Sequence, residues 1–267
     1  QNDVLAPLAS ETLLLFTAIR RSLFVSVEAT LSYYEVMQHC FLIILSNQSI
    51  LQNDVCHSNI AQALAKFKIN IQFGEMVKFE DFHVFFQAVT QFAVDTITTR
   101  GYFGDFPYIL ILWSRIVDAL RFTSAPIYTF IPKDTLHDCM KSVCRAYVMT
   151  RVDNLGTFMN DEESSPLSNI ELIMKHEEKL SILLTFDYQY VFDLIMNVFE
   201  RYSLSLRTLL DRIQHQWNER HEESLSNEES KQMTECDCDL YWIIIISSKY
   251  WMVCIAHGYH TSETTVQ

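Results

Sequence analysis

The sequence predicts an all-α protein, an α-solenoid of antiparallel helical hairpins of the HEAT type. The chain has 267 residues, 49% of them hydrophobic, with only 5 Gly and 5 Pro, too few for a turn-rich β-protein. Apolar residues recur at the helical period along most of the chain. Several predicted helices are apolar on more than one side, as the middle repeats of a solenoid are. A closed helical bundle is the alternative that this pattern leaves open.

The strongest helical signal comes from two neighbouring apolar stripes, which predict helices over Asp81–Thr99 and Phe106–Leu120. Glycine and proline interrupt the pattern between them. Because neither stripe can remain in water, the two helices are predicted to pack as an antiparallel pair. Residues in the middle of the long stripes are predicted to form the core: Phe85, Phe92, Trp113, Val117, Val143, Leu194 and Val198.

The other helices are predicted in chain order over Ser10–Phe24, Glu28–Gln48, Asn59–Phe73, Lys133–Asn154, from about Asn169, over Asp187–Ile213 and over the apolar run Leu240–Ile255. Gly74 is expected to cap the third of these helices. Ser168 and Glu171 have the spacing of a capping box, which places a helix start at about Asn169. A β-strand remains an alternative for the four consecutive isoleucines near the end of the chain, since periodicity cannot decide within a continuous apolar run.

Residues 1–267 are predicted to form one helical-repeat segment. We expect it to be a fragment of a longer protein, because the chain opens with Gln1 and begins almost at once with a helix. Residues 219–238 are predicted to be an acidic, flexible insertion between helices. The stretch Glu219–Asp239 contains eight acidic residues and only two of Lys or Arg, which favours a solvated loop.

Charge and cysteine content bear on the partners and the compartment. The formal net charge of -13 disfavours nucleic acid as a partner, because phosphate binding requires a basic face. The 7 cysteines are scattered and odd in number, which indicates a reducing compartment, the cytosol or nucleus. No membrane insertion is predicted, because the most apolar run is shorter than the ~20 residues a spanning helix needs and Lys249 interrupts it.

No catalytic, cofactor-binding or metal-binding residue is predicted, so the chain is predicted not to be an enzyme and to need no cofactor. It contains none of the Gly-x-Ser-x-Gly, P-loop or His-Glu-x-x-His motifs. Cys236 and Cys238 lack the spacing and the second ligand pair of a zinc site. Six histidines fall either in charged surroundings or within helices without a nearby set of carboxylates: His176, His215, His221, His39, His83 and His137.

Arg115 lies in a strongly patterned helix, and the pattern does not place its charged side chain. It lies two positions from Trp113, so it points away from the face that Trp113 buries. It is expected either to pair with an acid on the next hairpin or to face a partner. No residue is assigned as partner-binding on this basis.

Three stretches resemble, in the same order, the exportin-7 family of karyopherins, which includes Ran-binding protein 17. They are NIQFGEMVK at Asn70–Lys78, LWSRIV at Leu112–Val117 and AYVMTRV at Ala146–Val152. Ile71 departs from the family, which usually has an aromatic residue there. The resemblance implies a middle segment of a HEAT solenoid of the importin-β superfamily.

The same resemblance implies a function and a location. Such karyopherins are nuclear export receptors that bind Ran in its GTP form together with protein cargo, pass nuclear pore proteins and shuttle between nucleus and cytoplasm. None of the three stretches supplies a known contact residue for Ran or cargo. Two alternatives remain beside the transport receptor: another helical-repeat scaffold or adaptor without transport activity, and a helical enzyme or lipid-binding bundle.

Overall fold

A computed structural model describes residues 2–100, 105–121, 128–153, 179–220 and 227–256. No strand occurs among these residues, which confirms the predicted all-α class. The helices are α1 (Asn2–Thr17), α2 (Val27–Leu45), α3 (Gln48–Leu51), α4 (Asp54–Asn70), α5 (Phe73–Met76), α6 (Phe82–Arg100), α7 (Phe106–Arg121), α8 (Lys133–Asp153), α9 (Tyr188–Arg220) and α10 (Asn227–Ala256), with a 3-10 turn at Arg21–Leu23.

The chain divides into two compact units. The first comprises residues 1–143 and 178–183, and the second comprises residues 144–177 and 184–267. In the described ranges, every helix is too short or too polar to cross a membrane.

The first unit is built from two layers of helices. In one layer α1 packs on α4 and α4 packs on α7, and in the other α2 packs on α6. Aromatic rings join the layers: the Phe67 ring of α4 lies 5.3 Å from Phe41, 5.9 Å from Tyr34 and 6.3 Å from Phe85. Helices α1, α4 and α7 therefore pack in one row, and α2 packs on α6. This is the contact pattern expected when successive helical hairpins pack side by side.

The predicted pair of helices in the middle of the chain is confirmed. Helices α6 and α7 contact each other, and the rings of Phe86 and Trp113 are 5.5 Å apart across that contact. All seven predicted core residues are buried, from Trp113 at 0% exposed to Leu194 at 9%. Apolar periodicity was therefore sufficient to identify the buried faces.

Two predicted boundaries in the first unit are wrong. Helix α1 occupies Asn2–Thr17, earlier than predicted, and a separate 3-10 turn follows it. Gly74 does not cap α4, because α4 ends at Asn70 and Gly74 lies inside the short helix α5. Ile71 is extended, with φ -126° and ψ 140°, and the Glu75 carboxylate accepts a hydrogen bond from the backbone N–H of Gln72 at 3.3 Å. This bond starts a new helical turn where a C-cap was expected.

In the second unit, α9 packs against α10. The Tyr250 hydroxyl donates a hydrogen bond to the backbone oxygen of Tyr188 at 3.1 Å, and the Arg212 guanidinium donates one to the Gln232 side-chain oxygen at 3.3 Å. The isoleucine run lies within α10, so it is helical and the strand alternative is wrong.

The acidic insertion predicted at 219–238 is helical wherever it is described, because α9 continues to Arg220 and α10 begins at Asn227. Glu228 and Glu229 occupy the first turn of α10, where the helix dipole favours negative charge. Gln232 donates to Glu228 one turn earlier, at 3.0 Å. The acidic composition of the stretch suggested a loop. Glu228 and Glu229, however, lie at the N-terminus of a helix, where negative charge is stabilising.

Cys144, in α8, is the most deeply enclosed thiol of the second unit's described part. It is 0% exposed, and burial raises the pKa of its thiol to about 12, with a smaller contribution from the negative charge of Asp187. The helix predicted to begin near Asn169 lies outside the described residues.

Candidate partner-binding pocket

The stretch Asn70–Lys78 forms a turn that is fixed on several sides. The Asn70 side-chain amide donates to the backbone oxygen of Thr17, at the end of α1, over 2.7 Å. The Arg21 guanidinium donates two hydrogen bonds to the Glu75 carboxylate, each 2.8 Å long. These hydrogen bonds lower the pKa of Glu75, although partial burial acts in the opposite direction. The turn is therefore held in place by the neighbouring α1 segment.

A pocket of about 750 Å³ opens beside this turn. Its walls include Lys68 from α4, Gly74 from α5 and Arg115 from α7. A Cβ atom built on Gly74 would meet no atom within 4 Å, so this wall faces open space. Phe73 is buried beneath the turn, with its ring 5.7 Å from Phe82 and 6.1 Å from Phe86. The pocket thus has a packed apolar support and a charged lining.

Lys68 is a buried cation whose lost hydration is only weakly replaced by hydrogen bonding. Its side chain is 7% exposed, and its amine donates only a long hydrogen bond, 3.5 Å, to the backbone oxygen of Ile71. The same amine lies 6.0 Å from the centre of the Phe73 ring. Burial lowers the pKa of Lys68 to about 8, and the positive charge of Arg115 contributes to the decrease. A buried amine of this kind gains from a nearby anion.

Arg115 is exposed at the same pocket. Within the described ranges, none of the ion pairs involves Arg115 or Lys68, so the predicted pairing of Arg115 with an acid is not found there. Two of the three stretches that carry the family resemblance, Asn70–Lys78 and Leu112–Val117, meet at this pocket. Sequence reasoning singled out Arg115 but missed Lys68, which lies between the hydrophobic residues Phe67 and Ile69.

A second polar cluster lies buried in the first unit. The Nδ1 atom of His57 is 2.6 Å from the Asp105 carboxylate, and its Nε2 atom is 3.1 Å from the Thr96 hydroxyl oxygen. Burial raises the pKa of Asp105, but hydrogen bonds from His57 and Ser58 and the positive charges of His57 and Arg100 outweigh it, so the pKa is lowered.

This Asp105–His57–Thr96 order resembles a hydrolase triad, but its surroundings do not suit catalysis. Thr96 is 0% exposed, and its hydroxyl donates to the backbone oxygen of Phe92 at 2.7 Å. A nucleophile must reach substrate in a cleft, and this hydroxyl has neither exposure nor a free hydrogen. The cluster instead joins α4 and α6 to the residue that precedes α7.

The other residues considered from the sequence do not converge on a site. His83 and His215 are exposed, His137 is half-buried, and His176 and His221 lie outside the described residues. His39 lines a separate pocket of about 390 Å³ with Glu35 and Glu80. No group of three or more metal-binding side chains occurs in the described parts of the chain. Cys236 lies half-buried in α10.

The packed helices of the first unit are consistent with an all-α helical-repeat fold. The chain is similar to exportin-7-A from Xenopus laevis, 24% identical over 213 residues that make up 77% of this chain and 18% of that protein. It is also similar to Ran-binding protein 16 from Drosophila melanogaster, 23% identical over 77% of this chain and 18% of that protein. A third relative is Ran-binding protein 17 from Homo sapiens, 25% identical over 78% of this chain and 19% of that protein.

The resemblance predicted from the sequence is therefore confirmed: homologues over about 77% of the chain carry the names exportin-7 and Ran-binding protein 16 or 17. The chain spans less than a fifth of the length of these relatives. No protein-family model and no solved structure matches the chain.

Proposed function

We propose that this chain is a segment of a nuclear export receptor that binds Ran in its GTP form and protein cargo. The observation that carries the proposal is the similarity to exportin-7-A and to two Ran-binding proteins over about three quarters of the chain. The stacking of α1, α4 and α7 supports it, because this arrangement suits a helical-repeat receptor.

The proposed receptor works by binding, without enzymatic activity, cofactor or metal. In a stack of repeats each hairpin contacts its neighbours, so small rotations add up to a change in curvature. If Ran-GTP and cargo favour the same curvature, each increases the affinity of the other. Hydrolysis of GTP removes the contribution of Ran, and the cargo is released. This cycle requires passage through nuclear pores and a location in both nucleus and cytoplasm.

The experiment that tests the proposal measures cargo affinity. The receptor that contains this chain is first used to capture proteins from nuclear extract. Each captured protein is then titrated against the receptor, once with Ran bound to a non-hydrolysable GTP analogue and once with Ran-GDP. We expect tighter cargo binding with the GTP form, by about 5- to 150-fold for a typical allosteric coupling.

The other results identify different classes of protein. Weaker cargo binding with Ran-GTP would indicate an import receptor. Equal affinity with both forms of Ran would support the alternative of a helical-repeat scaffold or adaptor without transport activity, and the export proposal would be wrong.

A further inference from the structure

The pocket beside the α4–α5 turn contains two cations, Lys68 and Arg115, that form no ion pair within the described ranges. Arg21 is also in its lining, but the two 2.8 Å hydrogen bonds to Glu75 neutralise it. Lys68 is buried with one long hydrogen bond, and Arg115 is exposed with no ion pair in the described ranges. The two like charges are close enough that Arg115 affects the protonation of Lys68. An anion between them would relieve this repulsion.

We propose that this pocket binds the carboxylate of an acidic side chain in a protein partner. Lys68 and Arg115 contact the carboxylate, and the open wall at Gly74 admits the partner's backbone. The inference goes beyond the proposed transport function and does not depend on it, because the pocket and its charges belong to this chain alone.

The charge balance favours a single carboxylate over a polyanion. Asp118 lines the pocket beside Lys68 and Arg115, and its negative charge opposes the approach of a polyanion. The formal charge of the whole chain, -13, opposes the approach of a nucleic acid or an anionic membrane surface.

The test uses the complete chain and a short peptide with blocked ends and a single glutamate. The side-chain NMR signals of Lys68 and Arg115 are followed as the peptide is added, beside a matched peptide with glutamine in place of glutamate. Inorganic phosphate is titrated separately. We expect saturable shifts of both residues with the glutamate peptide, much smaller shifts with the glutamine peptide, and weaker binding of phosphate.

Variants then assign the binding to the pocket. Lys68→Met keeps the apolar stem without the charge, and Arg115→Ala removes an exposed side chain. Each should weaken binding of the glutamate peptide by about tenfold or more, because one partner of a close charge pair is lost. Lys66→Met is the matched control on the same helix, outside the pocket lining, and should bind as the unmodified chain does. Circular dichroism and thermal unfolding check that each variant is folded.

Three results would overturn the proposal. The first is equal binding of the glutamate and glutamine peptides. The second is unchanged binding in folded Lys68→Met and Arg115→Ala chains. The third is saturation by phosphate without a response to the glutamate peptide, which would assign the pocket to a free anion. None of these measurements involves Ran, so their failure is distinct from failure of the export proposal.

Discussion

The carboxylate of Asp105 lies 2.6 Å from Nδ1 of His57, and the two side chains are 8% and 6% exposed. Because the Thr96 hydroxyl donates to the backbone oxygen of Phe92, the Nε2 atom of His57 can donate to Thr96 as well as Nδ1 to Asp105. The geometry thus gives a buried hydrogen-bonded pair that joins α4 to the residue before α7.

Removing this pair should destabilise the fold. We expect Asp105→Ala to lower the free energy of unfolding by about 1–3 kcal/mol, because it leaves a buried ring nitrogen of His57 without its partner. Chemical denaturation measures the change. Asp54→Ala is the control, since Asp54 pairs with Arg100 but is 89% exposed, and it should cost no more than about 1 kcal/mol. Equal losses in the two variants would show that the Asp105 pair contributes little.

The same carboxylate predicts a pH dependence. The pKa of folded Asp105 is lowered, so its contribution to stability is present above the unfolded pKa of about 3.9 and is lost as pH falls through the folded value. Unfolding by denaturant at a series of acidic pH values should therefore show a smaller acid loss in Asp105→Ala than in the unmodified chain. Parallel acid profiles for the two proteins would contradict this prediction.

The core prediction concerns Phe92, which is 3% exposed and has its ring centre 4.6 Å from that of His57, with the two rings tilted by 34°. Phe92→Ala should lower the free energy of unfolding by about 3–5 kcal/mol through lost burial and a residual cavity. Phe16→Ala removes the same group at a site that is 47% exposed and should cost much less. A loss below about 1 kcal/mol for Phe92→Ala would mean that the apolar stripe of this helix was placed wrongly, because the lost burial alone should cost more than that.

Lys68 should titrate near pH 8, well below the ordinary value of 10.5, in an NMR titration of its side chain. Burial is the main cause, so Arg115→Ala should raise the pKa only part of the way back. Because the folded pKa is lowered, the unfolded chain binds more protons between about pH 8 and 10.5, and stability should rise with pH in that window. Lys66→Met should leave the pKa of Lys68 unchanged, and a value near 10.5 in the unmodified chain would refute the prediction.

The start of α10 can be tested with proline. Thr234 is exposed, and its hydroxyl donates to the backbone oxygen of Ser230 at 2.9 Å. Thr234→Pro should lower the free energy of unfolding by about 3 kcal/mol, because proline removes a helical hydrogen bond and clashes with the preceding turn. Thr234→Ala should have almost no effect. If both variants were as stable as the unmodified chain, this stretch would be the acidic loop that its composition suggested.

The sequence predicted those features that repeat along the chain. Apolar periodicity placed α6 and α7 and identified Phe85 and Trp113 as core, because a helix that buries one face must repeat its apolar residues. Partnerships between distant residues leave no such local signal. His57 and Asp105 are 48 positions apart, and neither position looks unusual in its own segment. For the same reason, the meeting of Lys68 with Arg115 required the packing of α4, α5 and α7 to be known.

Labelling of the Cys144 thiol can report local opening of the folded chain. Burial raises the pKa of this thiol to about 12, so the reactive thiolate is scarce at pH 7, and the enclosed sulfur is out of reach of reagents. A thiol-specific dye should therefore label this site only during the brief periods when α8 separates from its surroundings. The labelling rate then reports how often that part of the molecule opens, with no mutation and no denaturant.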